Sequence, residues 1–250
     1  ALACTTCTHV LASGESLCAS CERREAGETS PWERRADLGL TRAVAATIFG
    51  VLLRPGTFFA HRPRERALWP TLLLGMGLHV FGALGQLVVN LAYGDRIRAD
   101  LQEDPIARQL MWAASDEYFI AQALVSPLAF VLGTYVLASL WWIGLRAVSG
   151  LRRPFHVIVR ALCYAQAVSV LVPLIAPLPH LGPLGAVFGL AFMAWWLAIQ
   201  IVGVSRMQGT TLSRGVLAFF VWLSLAGCVA CLAGGASLWV LASHIRIPNL

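Results

Sequence analysis

The chain has 250 residues, of which 58% are hydrophobic and 13% charged, and its formal net charge is +6. Its mean hydropathy of +0.69 is far above that of a soluble domain, which excludes an ordinary water-soluble enzyme or binding domain. The basic residues flank apolar runs and form no stripe interleaved with aromatic residues. We therefore attribute the positive charge to membrane topology and exclude nucleic acid as a partner.

Residues 1–24 contain two Cys-x-x-Cys pairs, Cys4 with Cys7 and Cys18 with Cys21. Four thiolates in this arrangement are the ligand set of a closed, tetrahedral, structural zinc site. The spacer of ten residues between the pairs is shorter than the usual spacer of about fifteen to twenty, so a metal-free remnant is the alternative. We predict a zinc-ribbon-like module that binds one structural zinc ion through these four Cys.

Residues 25–37 form a charged linker with Gly, Ser and Pro, and this composition predicts no core. Residues 1–30 contain no apolar run of the length found in secretory signals, so we expect the N-terminal module not to be exported.

The segment 38–53 has the pattern of an amphipathic helix, because apolar residues such as Val44, Ile48 and Leu52 recur every three to four positions. It is too short to cross about 30 Å of hydrocarbon, and "RPG" follows it directly. We predict a helix that lies in the membrane interface with Arg42 facing water or headgroups. A helix packed against the protein's own bundle is the alternative.

Five later stretches are apolar and long enough to span a membrane. These predicted spans are residues 67–93, 118–145, 155–176, 181–205 and 215–242. Together with the helix 38–53 they predict an all-α, polytopic membrane domain over residues 38–250.

The Arg residues predict the orientation of these spans. Fifteen Arg lie on the side of the N-terminus and four on the other side, so the N-terminus is expected in the cytoplasm and the C-terminus outside. Cytosol keeps thiols reduced, which favours zinc over disulfides at the four Cys. All basic residues are Arg and none is Lys, as in proteins of GC-rich genomes, and we expect a bacterial inner (plasma) membrane protein.

The predicted spans contain no Asp or Glu, which argues against a titrating transport carboxylate and against acid–base catalysis. His79 is the only His near the middle of a span, which argues against a haem held by two His. We predict no enzymatic activity and no catalytic residue. The remaining polar side chains are expected to hydrogen-bond between helices: Gln86, Asn90, Gln122, Thr134, Tyr135, Tyr164, Gln166 and Gln200.

The order of these segments resembles a known family. The segment "TIFGVLLRPGTFF" is followed by a helix with Tyr164-Ala165, a Pro- and Gly-rich corner, a Trp-rich helix and the polar turn "SRMQGTTLSRG". This pattern is similar to that of the Yip family, the Ypt/Rab-interacting multipass proteins, and specifically to bacterial members with an N-terminal zinc ribbon. The resemblance covers about residues 40 to 240. It implies a five-span helical domain with a cytosolic N-terminus, and it supplies no catalytic or partner-binding residue.

Three functions remain open from the sequence. The first is a non-enzymatic membrane organiser or assembly subunit whose zinc module docks membrane or cytosolic proteins. The second is a permease or lipid-handling protein, and the third is an accessory subunit of a larger inner-membrane complex. A continuous polar cavity at mid-membrane would favour the second function, whereas a solidly packed bundle would favour the first or the third.

Overall fold

The computed structural model describes residues 8–10, 16–18, 30–60, 68–103, 115–177 and 183–227. Two short strands, β1 (Thr8–Val10) and β2 (Ser16–Cys18), pair antiparallel with Thr8 opposite Cys18. The other regular elements of the described chain are helical. They are α1 (Arg35–Leu38), α2 (Leu40–Leu53), α3 (Pro55–Phe58), α4 (Trp69–Glu103), α5 (Asp116–Ala147), α6 (Phe155–Ala165), a 3-10 helix (Gln166–Leu171), α7 (Val172–Ile175), α8 (Pro183–Gln208) and α9 (Leu212–Gly227).

Four segments in the described residues are long and apolar enough to cross a membrane. They are Trp69–Asp95, Asp116–Ala147, Phe155–Ile175 and Val187–Gln208. Each overlaps one of the first four predicted spans, which confirms those four. The fifth predicted span, 215–242, is described only as far as the end of α9, and a fifth crossing stays a prediction.

The third span is not one continuous α-helix, because α6 gives way to the 3-10 helix before α7 begins. Pro173 has no backbone N–H, so it cannot donate to the Ser169 carbonyl as an α-helix would require. The N–H of Val172 donates to that carbonyl instead, which closes the tighter 3-10 turn. The irregular backbone therefore lies in the middle of a span.

Glycines let α4 approach the third span closely. A Cβ at Gly82 would lie 2.9 Å from the Ser169 carbonyl oxygen, and one at Gly85 would overlap the ring of Pro173. Backbone contact of this kind is how small residues bring membrane helices together. The crowding of Gly75, Gly82 and Gly85 in α4 thus serves helix packing.

The helix α9 packs on α5 in a similar way. A Cβ at Gly144 would lie 2.5 Å from the Ala218 carbonyl oxygen. Beside this contact Trp141 is completely buried, and its ring neighbours those of Phe219 and Trp222 at centroid distances of 6.3 Å. These large rings supply the dispersion contacts of the interface.

The predicted amphipathic helix forms as α2, and it packs against the bundle. Its most buried residues are Ala43, Thr47 and Val51, each with no exposed surface, whereas Val44 and Ile48 are half-buried. The buried face is therefore centred one residue before the predicted stripe, because the small side chains of Ala43 and Thr47 allow close approach. Arg42 is exposed as expected, and the position of α2 at a membrane interface stays a prediction.

Candidate functional site

Two polar regions stand out in the helical part of the chain. The first is one end of the bundle, where residues 30–60 and the connections 148–154 and 209–214 lie; we call it the Arg-rich end. The second is a pair of adjoining cavities in the middle of the bundle around His79, which we call the central cavities.

At the Arg-rich end a buried ion pair joins the N-terminal segment to the third span. Arg160 Nη1 lies 3.2 Å from Glu33 Oε1, and the two side chains are only 1% and 3% exposed. A buried charge is stable in such surroundings only when it is paired. The pair therefore fixes residues 30–34 to α6.

Two neighbouring contacts hold the same segment. Ser30 Oγ and the Tyr164 hydroxyl form a hydrogen bond of 3.0 Å, and Trp32 Nε1 donates to the Pro70 carbonyl at 3.1 Å. Ser30 and Trp32 are buried. The predicted linker 25–37 thus packs on the membrane domain from residue 30 onward, since it supplies both a buried ring and a charge that neutralises Arg160; its first five residues lie outside the described part.

The two connections at the Arg-rich end are joined through Gln208. Its side-chain carbonyl accepts the backbone N–H groups of Arg152 at 3.2 Å and Arg153 at 2.8 Å. Arg153 Nη1 donates to the Met207 carbonyl at 2.9 Å, and Arg214 Nη1 to the Ser149 carbonyl at 3.2 Å. The loops at this end are thereby held in one arrangement.

Charge divides the described chain in two. All ten Arg whose side chains are described lie at the Arg-rich end, with Glu33 and Asp37 as the acids there. They are Arg34, Arg35, Arg42, Arg54, Arg146, Arg152, Arg153, Arg160, Arg206 and Arg214. At the opposite end the described charged side chains are Asp95, Asp116 and Glu117. A surface this basic attracts acidic protein segments and anionic headgroups.

The central cavities have volumes of about 660 and 400 Å³ and share His79, Ala129, Ser169 and Val172 in their walls. The larger lies between α4, α5 and the 3-10 helix, and the smaller extends toward α8. Their walls place neutral hydrogen-bonding groups inside the bundle. The polar lining residues are His79, Gln86, Tyr118, Gln122, Ser126 and Ser169 in the larger cavity, with Thr134, Gln166 and Gln200 added in the smaller one.

Two prolines in the described spans, Pro127 and Pro173, lie beside residues that line these cavities. Pro127 in α5 cannot donate to the Ala123 carbonyl, and the hydroxyl of Ser126 donates to it instead at 2.9 Å. The 3-10 helix presents Ser169, whose hydroxyl donates to Gln166 Oε1 at 3.0 Å. A missing backbone hydrogen bond at membrane depth is tolerated where the site borders a cavity, and Ser126 and Ser169 both line the larger cavity here.

The polar residues singled out in the spans have different roles. Asn90 Nδ2 donates to Asp116 Oδ1 at 3.0 Å, which confirms a predicted hydrogen bond between helices, whereas Tyr164 bonds Ser30 in the N-terminal segment instead of a residue on another helix. A hydrogen bond also joins the side chains of His79 and Gln166. Gln86, Gln122, Thr134 and Gln200 instead lie in the cavity walls.

The predicted zinc ligands are only partly within the described chain. The backbone of Cys18 ends β2, whereas Cys4, Cys7 and Cys21 lie outside the described residues. Among the residues that the structure describes, no group of three or more His, Cys, Asp or Glu side chains could hold a metal ion. The four-Cys site therefore stays a prediction.

Sequence reasoning missed the Arg160–Glu33 pair. The Arg asymmetry uses Arg160 only as one of the fifteen Arg on the side of the N-terminus, although a single Arg inside a predicted apolar span is itself a signal for a buried partner. Glu33 is one of seven acids that precede the first span, so its pairing with Arg160 is decided by the tertiary structure.

Comparison with known proteins gives one match. A family model described as the Yip1 domain matches residues 49–241, which covers the greater part of the chain. No match was found among curated proteins or among solved structures.

Proposed function

The chain belongs to the Yip1 domain family, and from that premise we propose that this multipass membrane protein is a non-enzymatic organiser that docks partner proteins at its Arg-rich end. The family is in general not enzymatic. The proposal includes a structural zinc ion on Cys4, Cys7, Cys18 and Cys21, an N-terminus in the cytoplasm, a C-terminus outside and a location in a bacterial inner membrane.

The observation that carries this proposal is the attachment of residues 30–34. The ion pair of Glu33 with Arg160 and the buried ring of Trp32 fix this segment to the bundle. Only eight residues separate Cys21 from Ser30, so the N-terminal module lies within about 30 Å of the Arg-rich end even on an extended chain. A partner can therefore contact the module and the basic surface together.

The hairpin supports the zinc assignment. Strand β1 begins one residue after Cys7, and β2 ends on Cys18. A zinc ion held by two Cys pairs requires the chain between them to turn back on itself, and an antiparallel hairpin is the simplest way to do so. We expect about one zinc ion per chain in the purified protein, and less than about half an ion would contradict the assignment.

The docking role is tested by purifying the protein from its native membrane and identifying co-migrating proteins by mass spectrometry. The variant Cys18→Ser/Cys21→Ser is expected to lose zinc and partners while its helix content is unchanged. The matched control is Cys228→Ser/Cys231→Ser, which alters a third Cys-x-x-Cys within the fifth predicted span and is expected to keep both zinc and partners. Retention of all partners by the first variant would refute docking through the module. If membrane proteins co-migrate in fixed stoichiometry with the wild type and with every variant, this protein is instead an accessory subunit of a larger complex.

The central cavities favour a second candidate function, that of a lipid-handling protein or permease. Polar groups that line a cavity inside an otherwise apolar bundle are typical of binding sites in membrane proteins. In vesicles, transport of a lipid or solute that is abolished by His79→Phe and retained in Cys18→Ser/Cys21→Ser would establish this function. Unchanged transport in the His79→Phe variant would show that the central cavities take no part in transport.

A further inference from the structure

We propose that the smaller central cavity binds an uncharged lipid, held by hydroxyl or carbonyl oxygens at its polar end. This inference goes beyond the organiser role and concerns binding rather than transport. Its volume of about 400 Å³ is within the range of small-molecule sites. Its walls combine hydrogen-bonding groups of His79, Gln166 and Gln200 with the rings of Phe130, Phe192 and Trp196. Such a lining fits a compact polar group with an apolar body.

The amide of Gln200 is the strongest reason to expect an occupant. Gln200 is 3% exposed and lines the cavity, and within the described ranges no residue hydrogen-bonds its side chain. A primary amide offers two donors and an acceptor, and leaving it unpaired in apolar surroundings is unfavourable. Thr134 is also buried in this wall. A ligand with oxygens that accept from Gln200 satisfies this demand.

The absence of charge in the described wall selects the ligand class. The lining residues include no Asp, Glu, Lys or Arg, so the wall offers no counter-ion to a phosphate or a carboxylate. Moving such a headgroup to this depth without a partner would be costly. An uncharged lipid is therefore favoured over a phospholipid. Diacylglycerols and isoprenoid quinones both offer this chemistry.

The cavity is open to the bilayer. Ala129 and Gly133 on α5 and Met193 on α8 line it and are themselves exposed, so its mouth lies between these two helices. The larger cavity continues from the shared residues His79 and Ser169 toward Tyr118. A lipid can thus enter sideways with its polar end first and leave its tail in the hydrocarbon or in the larger cavity.

The test uses full-length protein in phosphatidylcholine vesicles with a photoactivatable diacylglycerol as the probe. Saturable labelling of peptides that contain residues 129–137 and 192–200 is expected. Unlabelled diacylglycerol and unlabelled isoprenoid quinone are added in separate arms, and the one that competes at lower concentration identifies the source of the ligand. Phosphatidylglycerol should not compete. Labelling that does not saturate, or equal competition by phosphatidylglycerol, would overturn the proposal.

Variants connect the labelling to the cavity. Gln200→Leu keeps the side-chain volume and removes the amide. It is expected to weaken binding of the diacylglycerol probe about fivefold, which is the effect of one lost hydrogen bond. Ser139→Ala is the control, since Ser139 is exposed on α5 away from the cavity and bonds only its own helix at the Tyr135 carbonyl. Thr134→Val serves as a second cavity variant if Gln200→Leu does not fold. Unchanged affinity in the folded cavity variant would refute the site.

The outcome is independent of the docking proposal. Cys18→Ser/Cys21→Ser is expected to bind the probe as the wild type does, because its changes lie outside the bundle. Loss of partners with retained labelling would support both proposals, whereas loss of labelling in this variant would contradict a self-contained site in the bundle.

Discussion

The Arg-rich end and the central cavities place polar groups inside an apolar protein in opposite ways. At the Arg-rich end, full charges are buried and each has a partner, as Arg160 has in Glu33. In the central cavities the groups are neutral, and Gln200 has no partner within the described chain. A buried charge must be paired for the fold to be stable, whereas an unpaired amide is tolerable at moderate free-energy cost. The first region therefore serves structure, and the second remains available to a ligand.

The largest effect on the stability of the protein should come from breaking the buried ion pair at the Arg-rich end. Arg160→Met is expected to destabilise the protein by about 3–5 kcal/mol, because it leaves the Glu33 carboxylate buried without its guanidinium. Thermal unfolding in detergent measures this effect. The exposed Arg206→Met is the control and should change stability by less than about 0.5 kcal/mol. The double variant Glu33→Leu/Arg160→Met should recover most of the loss, and failure to do so would show that the pair is not the cause.

A smaller effect is expected at Trp32. Trp32→Phe loses the hydrogen bond to the Pro70 carbonyl and part of a buried ring, which corresponds to about 2 kcal/mol of stability. The loosened segment should also become a better trypsin substrate at Arg34. Trp69→Phe changes a ring that is 64% exposed and should leave both unfolding and trypsin cleavage unaltered. Equal effects of the two substitutions would contradict the attachment of residues 30–34.

The hydrogen bond between Tyr164 and Ser30 provides a finer test. Tyr164→Phe removes one hydroxyl from a buried pair and is expected to cost about 1 kcal/mol. Tyr135 is the matched control, because it is exposed on α5, and Tyr135→Phe should be neutral. The hydrogen-exchange rates of the backbone amides in residues 30–34 measure how firmly this segment is held. Unchanged exchange in Tyr164→Phe would mean that the ion pair and Trp32 alone hold the segment.

The smallest expected change in stability is at the central cavities, where a substitution should not destabilise the protein. Gln200→Leu replaces an amide without a partner in the described chain by an apolar group of similar volume, so stability should be unchanged or slightly raised. Gln208→Leu removes a carbonyl that accepts two backbone N–H groups and should lose about 1–3 kcal/mol, although Gln208 Nε2 has no partner in the described chain. Thermal unfolding of the two variants side by side compares them. A loss of equal size in both would show that Gln200 is as firmly bonded as Gln208.

Much of the architecture could be predicted because it depends on one-dimensional patterns. Apolar runs of about 20 residues predicted four spans that the structure confirms within a few residues at most ends. The period of the segment 38–53 predicted α2 in the same way. The exact face that α2 buries could not be predicted, because it depends on which side chains are small enough to approach α6 and the 3-10 helix.

The site was less predictable, because it depends on which residues meet across the bundle. The sequence identified Gln86, Gln122, Gln166 and Gln200 among the polar residues of the spans and predicted that they hydrogen-bond between helices. The structure instead places these residues in the cavity walls around His79, beside Pro127 and Pro173, which each lack a backbone N–H. A Pro in the sequence announces a missing N–H, but the neighbouring helices decide whether a gap or a contact results.

The sequence by itself determines which segments of the chain lie in hydrocarbon and the order in which they cross it. Apolar length and Arg asymmetry fix how much of this chain enters hydrocarbon and which way it is expected to face, because both are sums over segments. Only the tertiary structure decides that Glu33, within a segment that has the composition of a linker, neutralises Arg160, and that Gln200 lies in the wall of a cavity. Those roles depend on contacts between residues as far as 127 positions apart, and pairing at such separation depends on how helices pack rather than on any local pattern.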